Sequence, residues 1–445
     1  MSKGKSITLL SILSAIIAFV LVMTFIRFPV GIYNYNSLLG AIDLDYDLAG
    51  GTAYTLTLAD DNENEVSDVN AVIDVLEYRL GELGYGAYSV KALKSMEEGV
   101  EEYSIRIETK TTDTLEKDIE VVAKYGQLKF FGGTNKDEIT TEILQDRKVI
   151  QSAKYNGEVT AGNFEISIEF TQASYDELVN LINENSTYYL KITLGETEDG
   201  QENVLFQDQI NKDYFNKRVM PLYTTNANVA KQMALQMQSG GLAYKYKISN
   251  PSEISSPYGQ DVALKCAVTI ITIAVVMMIL MIITYKGFGV IVSLSELLFV
   301  LILGWLLIGV PNITLNIGGV IGFICAIILC NVSMIILAGR IKEELITSKK
   351  TFKAAVKKGF KQALVPTINV NVVAGLISLA VFALTKGVVQ CFAIVLGIGA
   401  VVSLLSSLVF ARMYNALITP LVKDKEKFFG FNKLENNQIE EAKGE

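Results

Sequence analysis

The residue inventory removes more chemistry than it offers. With no histidine in 445 residues, the chain lacks an imidazole base, a histidine-centred triad and any histidine metal site. The four cysteines, Cys266, Cys325, Cys330 and Cys391, all fall in apolar runs without CxxC or other ligand spacing, which argues against zinc and against a disulfide framework. Asp and Glu are numerous between residues 28 and 261 but dispersed, as on a solvated acidic surface. No nucleophile, metal or acid-base set can be assembled, so neither an enzyme nor a resident cofactor is expected. The "AGG" at 49–51 precedes a strand and is too short for a phosphate loop; a close backbone approach accounts for it. One acid stands apart. Glu296 lies about nine residues into an apolar run, near 14 Å from its inner end at 1.5 Å per residue. A charged carboxylate there costs about 2.5–3.5 kcal/mol on insertion scales. Either it exchanges a proton, or it is a neutral group satisfied by Ser293, Ser295 or a neighbouring helix.

The elements around it are those of a membrane protein with a large polar insertion. Apolar residues make up 50% of the chain and charged ones 19%. Six stretches have the roughly 20 apolar residues that a crossing needs: about 7–26, 263–284, 288–309, 317–338, 367–385 and 389–412. Lys3 and Lys5 precede the first, and eight Lys/Arg lie between Arg340 and Lys361 against only Glu343 and Glu344. By the positive-inside bias both segments are cytoplasmic. The expected layout is residues 1–27 as a first helix with an inside terminus, 28–261 outside, 262–422 as five helices with a basic inner loop at 340–366, and 423–445 as an inner tail. The first span is too long for a typical signal-peptide core and lacks a clear A-x-A site, so it reads as an uncleaved anchor. The tail reads as surface-associated and then disordered.

The polar insertion alternates strand and helix signals. "TAYTLTL" has strand period, and Val69, Val72, Ile73, Leu76, Leu80 and Leu83 share a helical face before Gly84. Strands near 87–93 and at "YSIRIET", a helix carrying Leu115, Ile119 and Val122, and "QLKFF" complete a β-α-β-β-α-β order, the ferredoxin-like signature. From "FEISIEF" the pattern recurs, with helices near 173–185 and 226–238. The expected fold class is therefore α+β multi-pass membrane protein, six transmembrane helices with an extracytoplasmic domain of two ferredoxin-like units between the first and second.

Five segments give this chain a resemblance. "DYDLAGGTAYTL", with Asp47, Gly50 and Gly51, "YRLGELG", with Arg79 and Gly84, "AKYGQLKFF", the return segment "LQMQSGGLAYKYKISNPSEISSPYGQD", and the inner loop and last span, beginning with "RIKEEL" at Arg340, resemble in order and spacing the SecD/SecF family. That family is a branch of the resistance-nodulation-division superfamily, and the resemblance runs over nearly the whole length. It implies an accessory role in Sec protein export at the bacterial plasma membrane, assisting late translocation or release of secretory polypeptides. The implied partners are a SecF-like subunit on a separate chain, since this one ends after six spans, the Sec channel, emerging chains and, as a further candidate, a membrane insertase; no nucleic acid is expected.

The chain departs from the family pattern where proton-driven members carry an Asp-Ala-Asn motif in spans four and five. Here span four reads Leu329-Cys330-Asn331 and span five Asn369-Val370-Asn371. Both acids are replaced, leaving asparagines that can hydrogen-bond between helices, at about 0.6–2 kcal/mol each, but cannot carry a proton. Asn331 and Asn371 lie at the depth of Glu296, so the three could share a level as a relocated relay or a polar core. An uncoupled scaffold for the channel or an insertase, and an exporter of small molecules or lipids, are the alternatives.

Overall fold

The computed structural model describes residues 3–30, 33–35, 37–59, 69–97, 100–136, 139–144, 148–185, 187–196, 201–242, 244–309, 314–347, 352–423 and 428. The chain divides into two compact units, Met1–Gly50 with Ser255–Glu445, and Gly51–Ile254.

The first unit opens with helix α1 (Lys3–Phe25), apolar on every face, with only Ser6, Ile17 and Thr24 buried. A helix apolar all round and about 34 Å long is a membrane helix by length and composition. A short antiparallel pair, β1 (Phe28–Val30) with β2 (Tyr33–Tyr35), and two single turns, α2 (Leu38–Ala41) and α3 (Tyr46–Ala49), follow.

The second unit then runs β3 (Gly51–Leu58), α4 (Val69–Glu82), β4 (Tyr88–Glu97), β5 (Val100–Thr109), α5 (Leu115–Val122), β6 (Leu128–Gly133), β7 (Thr141–Ile143), β8 (Ile150–Thr160), β9 (Asn163–Phe170), α6 (Gln172–Glu184), β10 (Tyr189–Glu196), β11 (Glu202–Gln209), β12 (Val219–Thr224), α7 (Ala227–Ser239), β13 (Tyr246–Ile248) and β14 (Ser252–Ile254). In the first sheet, β5 lies antiparallel between β3 and β4, so β3, α4 and β4 form a split β-α-β. Leu56, Leu76, Leu80, Ile107, Ile119 and Val122, all fully buried, close the core between sheet and helices.

The fourth place in this sheet corrects the sequence reading. "QLKFF" was the expected last strand, but β6 pairs with β10 and β7 in another sheet. The edge of β3 is covered instead by the returning strands β13 and β14. Two smaller sheets, β11-β10-β6-β7 and β12-β9-β8, share one core. In it the Phe130 and Phe170 rings meet edge to face at 5.6 Å. β8 was not anticipated, because its pairing with β9 shifts register three times and such bulges break the two-residue alternation that marks a strand.

Returning to the first unit, helices α8 (Val262–Gly309), α9 (Ile317–Thr347), α10 (Phe352–Leu384) and α11 (Gly387–Leu405) are followed by a π-helical turn, Ser406–Phe410, and α12 (Ala411–Ile418). The 48 residues of α8 would reach about 72 Å if straight, over twice a hydrocarbon core. Lys286, at φ 49° and ψ −125°, breaks the helix and reverses the chain. Ser293 Oγ donates to Met278 O at 3.0 Å, and a Cβ on Gly289 would stand 2.1 Å from Met281 O, so the two legs lie side by side. The ring of Phe428 rests against Gly287 at this reversal.

Against the inner loop expected at 340–366, α9 continues to Thr347 and α10 starts at Phe352. The apolar runs end before the helices do, and these extensions keep their own contacts: Lys358 Nζ meets Glu344 Oε1 at 2.7 Å. Apart from Phe428, the tail beyond Lys423 lies outside the described residues, as do residues 310–313 and 348–351.

Candidate functional site

The second leg of α8 carries Glu296 into the bundle, where it is fully buried. Its Oε1 accepts from Asn331 Nδ2 on α9 at 2.5 Å, and the same amide donates to Ile327 O at 3.1 Å. The second oxygen, Oε2, has no hydrogen-bond partner among the described residues. Two residues along α9, on the opposite side, Ser333 Oγ accepts from Asn371 Nδ2 of α10 at 2.8 Å and from Ser403 Oγ of α11 at 3.3 Å. Ser406 Oγ, in the π turn, donates to Ser295 O at 2.7 Å. Four membrane segments thus meet in one buried polar layer, with Glu296 its carboxylate. π turns are rare and interrupt the regular backbone ladder, frequently at functional sites.

Of the four asparagine and acid candidates, the fold joins Glu296 to Asn331 and turns Asn371 inward beside them. Asn369 is exposed, on the face of α10 that also carries Val365, Val372, Leu376 and Leu379. Asn371 lies two positions beyond Asn369, a turn of about 200° on a helix, so they cannot share a face. Ser333, Ser403 and Ser406 were not singled out from sequence. Their signal was weak, since serine in a membrane helix commonly bonds its own preceding turn.

A second polar seat surrounds Asp47. Asp45 caps α3 through Tyr46 N at 2.8 Å and accepts from Thr314 Oγ1 at 2.9 Å. Backbone bonds join Asp45 N to Leu315 O and Leu315 N to Asp43 O. Asp47 Oδ2 accepts from Ile317 N at 2.7 Å, placing a carboxylate at the N-terminus of α9, where the free N–H groups and the helix dipole favour negative charge. Burial pushes the Asp47 carboxyl from its ordinary 3.8 up to about 6. The Ile317 N–H pulls the other way, and the neighbouring Asp45 charge adds to the rise.

Residues 235–419 match the family model "Protein export membrane protein SecD/SecF, C-terminal". Protein translocase subunit SecD of Acidaminococcus fermentans is 24% identical over 433 residues, covering 96% of this chain and 95% of that relative. The subunit of Dictyoglomus turgidum is 22% identical over 392 residues, 86% of this chain and 92% of that one. The chain is similar to SecD subunits along nearly its whole length, and residues 235–419 carry the SecD/SecF C-terminal region. The crystal structure of SecDF in its super-membrane-facing form shares the fold at TM-score 0.70 and 20% identity. It aligns with 95% of this chain, which spans 58% of that longer one.

The remaining positions that carried the SecD resemblance have structural roles here. Gly50 ends α3 at φ 86°, and a Cβ on Gly51 would stand 2.1 Å from Thr109 O across the sheet. Gly84 follows α4 at φ 94°, the usual glycine position after a helix. Arg79 is fully buried and has no carboxylate within its hydrogen bonds. It donates to Val122 O at 2.8 Å and Lys124 O at 3.0 Å, and to Ser239 Oγ and Gly240 O at 2.9 and 3.0 Å. One guanidinium thereby satisfies the open carbonyls at the ends of α5 and α7. Burial lowers its pKa to about 10, so it stays charged at neutral pH. Arg340 lies at the surface, paired with Glu343 at 2.7 Å, an arrangement worth little in water. No group of three potential metal ligands occurs among the described residues.

Proposed function

We propose that this chain is an accessory subunit of the Sec protein-export machinery, assisting late translocation or release of secretory polypeptides across a bacterial plasma membrane beside a SecF-like partner. Its correspondence with translocase subunit SecD from end to end carries the reading. The geometry supports the division of labour. The Gly51–Ile254 unit, a compact body of its own, is the holder of emerging chain. The helical unit anchors it, with six crossings if each leg of α8 counts as one. Lys3, Lys5 and the basic stretch after Arg340 set both termini inside and the β-rich unit outside. The split β-α-β around β5 supports a ferredoxin-like first half.

The exposed face of α10 is the seat of the partner. An amide facing hydrocarbon needs a hydrogen-bonding mate, and Asn369 has apolar residues on either side of it. A SecF-like helix supplies that mate and covers Val372 and Leu376.

In this chain the polar layer acts as a lock between helices rather than a proton path, because Glu296 has neither a cation nor a second acid among its described neighbours. The open Oε2 and the π turn favour a second reading, in which Glu296 exchanges a proton in place of the family's lost aspartates. Completion of translocation in vesicles holding this chain and its partner, with the proton gradient imposed or collapsed after ATP is exhausted, separates the two. On the lock reading Glu296→Gln changes nothing, since an amide oxygen still accepts from Asn331. A gradient-dependent step abolished by Glu296→Gln, at equal protein level, establishes the second reading.

A further inference from the structure

Beside α1 the first unit holds an apolar cavity of about 620 Å³. Leu21 and Phe25 of α1 form one wall, Ala267, Ile271 and Met278 of the first leg of α8 another, and Leu301 of the second leg a third. Leu44 and Leu48, from the segment that seats Asp47, roof one end. The cavity exists because α1 buries so little of itself, Ile17 being its sole buried apolar side chain. From Ala263 to Met278 its wall extends about 22 Å at 1.5 Å per residue, rather more than one hydrocarbon leaflet of about 15 Å.

The lining decides between occupants. An apolar helix would bring no anion to the cation that the lining carries. An extended peptide would fit, but its backbone N–H and C=O groups would face apolar walls without partners. An acyl chain needs only length and apolar contact. At the mouth stands Arg27, exposed, two residues past the end of α1, and the one charged side chain among the described residues lining the cavity. A long cation at a helix end reaches the headgroup level, where it meets phosphate.

We propose that this cavity is a phospholipid site, taking one acyl chain between α1 and α8 with the lipid phosphate held by Arg27, and that an anionic headgroup is preferred. Lipid so bound fills the gap that α1 leaves and fastens that helix to the bundle. The site requires membrane embedding alone, so it stands or falls separately from the export reading.

The full chain is reconstituted in vesicles of phosphatidylethanolamine and phosphatidylglycerol carrying a trace of either lipid with a photoreactive group at its acyl end, and labelled residues are mapped by mass spectrometry. The expected result is labelling within 263–278 and 297–307, stronger with the phosphatidylglycerol probe. Ala267→Trp fills the cavity and lowers labelling about tenfold, whereas Val268→Trp, on the exposed side of the same helix, leaves it unchanged. Arg27→Gln keeps labelling by the phosphatidylethanolamine probe and removes the preference for phosphatidylglycerol. Equal labelling of Ala267→Trp and the parent chain, at equal melting temperature, overturns the site. So does a cavity labelled by an arrested secretory chain in preference to lipid. If Ala267→Trp fails to fold, Ala263→Phe serves the same comparison.

Discussion

Asp47 and Arg79 show how one charged group can organise a junction without performing chemistry. Asp47 accepts the first free N–H of α9 while burial raises its pKa to about 6. Because the folded protein binds this proton more tightly than the unfolded chain, stability attributable to Asp47 is greatest below pH 3.8 and falls as pH rises towards 6. Asp47→Asn keeps an oxygen for Ile317 N and removes the titration. The expected outcome is that melting temperatures of parent and variant converge on acidification, with the variant equal or higher at pH 7. A variant that melts lower at pH 7 than at pH 4, relative to the parent, contradicts this. The pattern Asp-Leu-x-Gly-Gly was legible in the sequence, but its meaning was not. Nothing in residues 45–51 announces that their partner is the backbone at 314–317, roughly 270 positions on. Glu296, Asn331 and Asn371 stood out in the sequence because in a membrane an acid and amides differ from everything around them, but the sequence did not say that Asn331 meets Glu296 while Asn371 meets Ser333. Ser333, Ser403 and Ser406 did not stand out.

Among the elements, α9 is the centre of the helical unit, and small residues place it there. A Cβ on Gly318 would stand 2.1 Å from Val388 O, one on Gly322 2.7 Å from Phe392 O, and one on Gly399 of α11 2.3 Å from the Ala326 methyl. The four-residue spacing of Gly318, Gly322 and Ala326 lets the α9 and α11 backbones approach, the small-xxx-small device of membrane helices. Gly322→Leu is expected to push these helices apart at a cost of about 1–3 kcal/mol, read as a lower melting temperature in detergent; an unchanged value would mean that the crossing is held elsewhere. Long periodic elements such as α4 and α6 were readable from the sequence to within a residue or two. The destination of β6 was not, because alternation names a strand and says nothing about which neighbour it takes. The helical ends of α9 and α10 were hidden for another reason: hydropathy marks where lipid stops, not where a helix does.

For the molecule as a whole, the two units divide the residue types between them. Charged and polar residues build Gly51–Ile254, and apolar helices build the rest around the polar layer at Glu296 and the polar seat at Asp47. The exposed face of α10 is the seat proposed above for a partner helix, and Asn369 lies on it. Asn369→Val is accordingly expected to leave the chain folded but to lower co-purification of the SecF-like subunit about tenfold, the loss of one membrane hydrogen bond and its packing. Undiminished recovery would move the contact to another helix.

The pairing of β14 with β3 carries a consequence for how the protein is made. Ala53 receives its neighbour from Ser252, 199 positions later, so the first strand of its sheet keeps one open edge until nearly the entire unit has been synthesised. Contacts this distant in sequence form slowly, and an unpaired strand edge is a place where chains join wrongly. A ribosome that stalls between Thr109, where β5 ends, and Tyr246, where β13 begins, therefore leaves behind a nascent chain with an adhesive border.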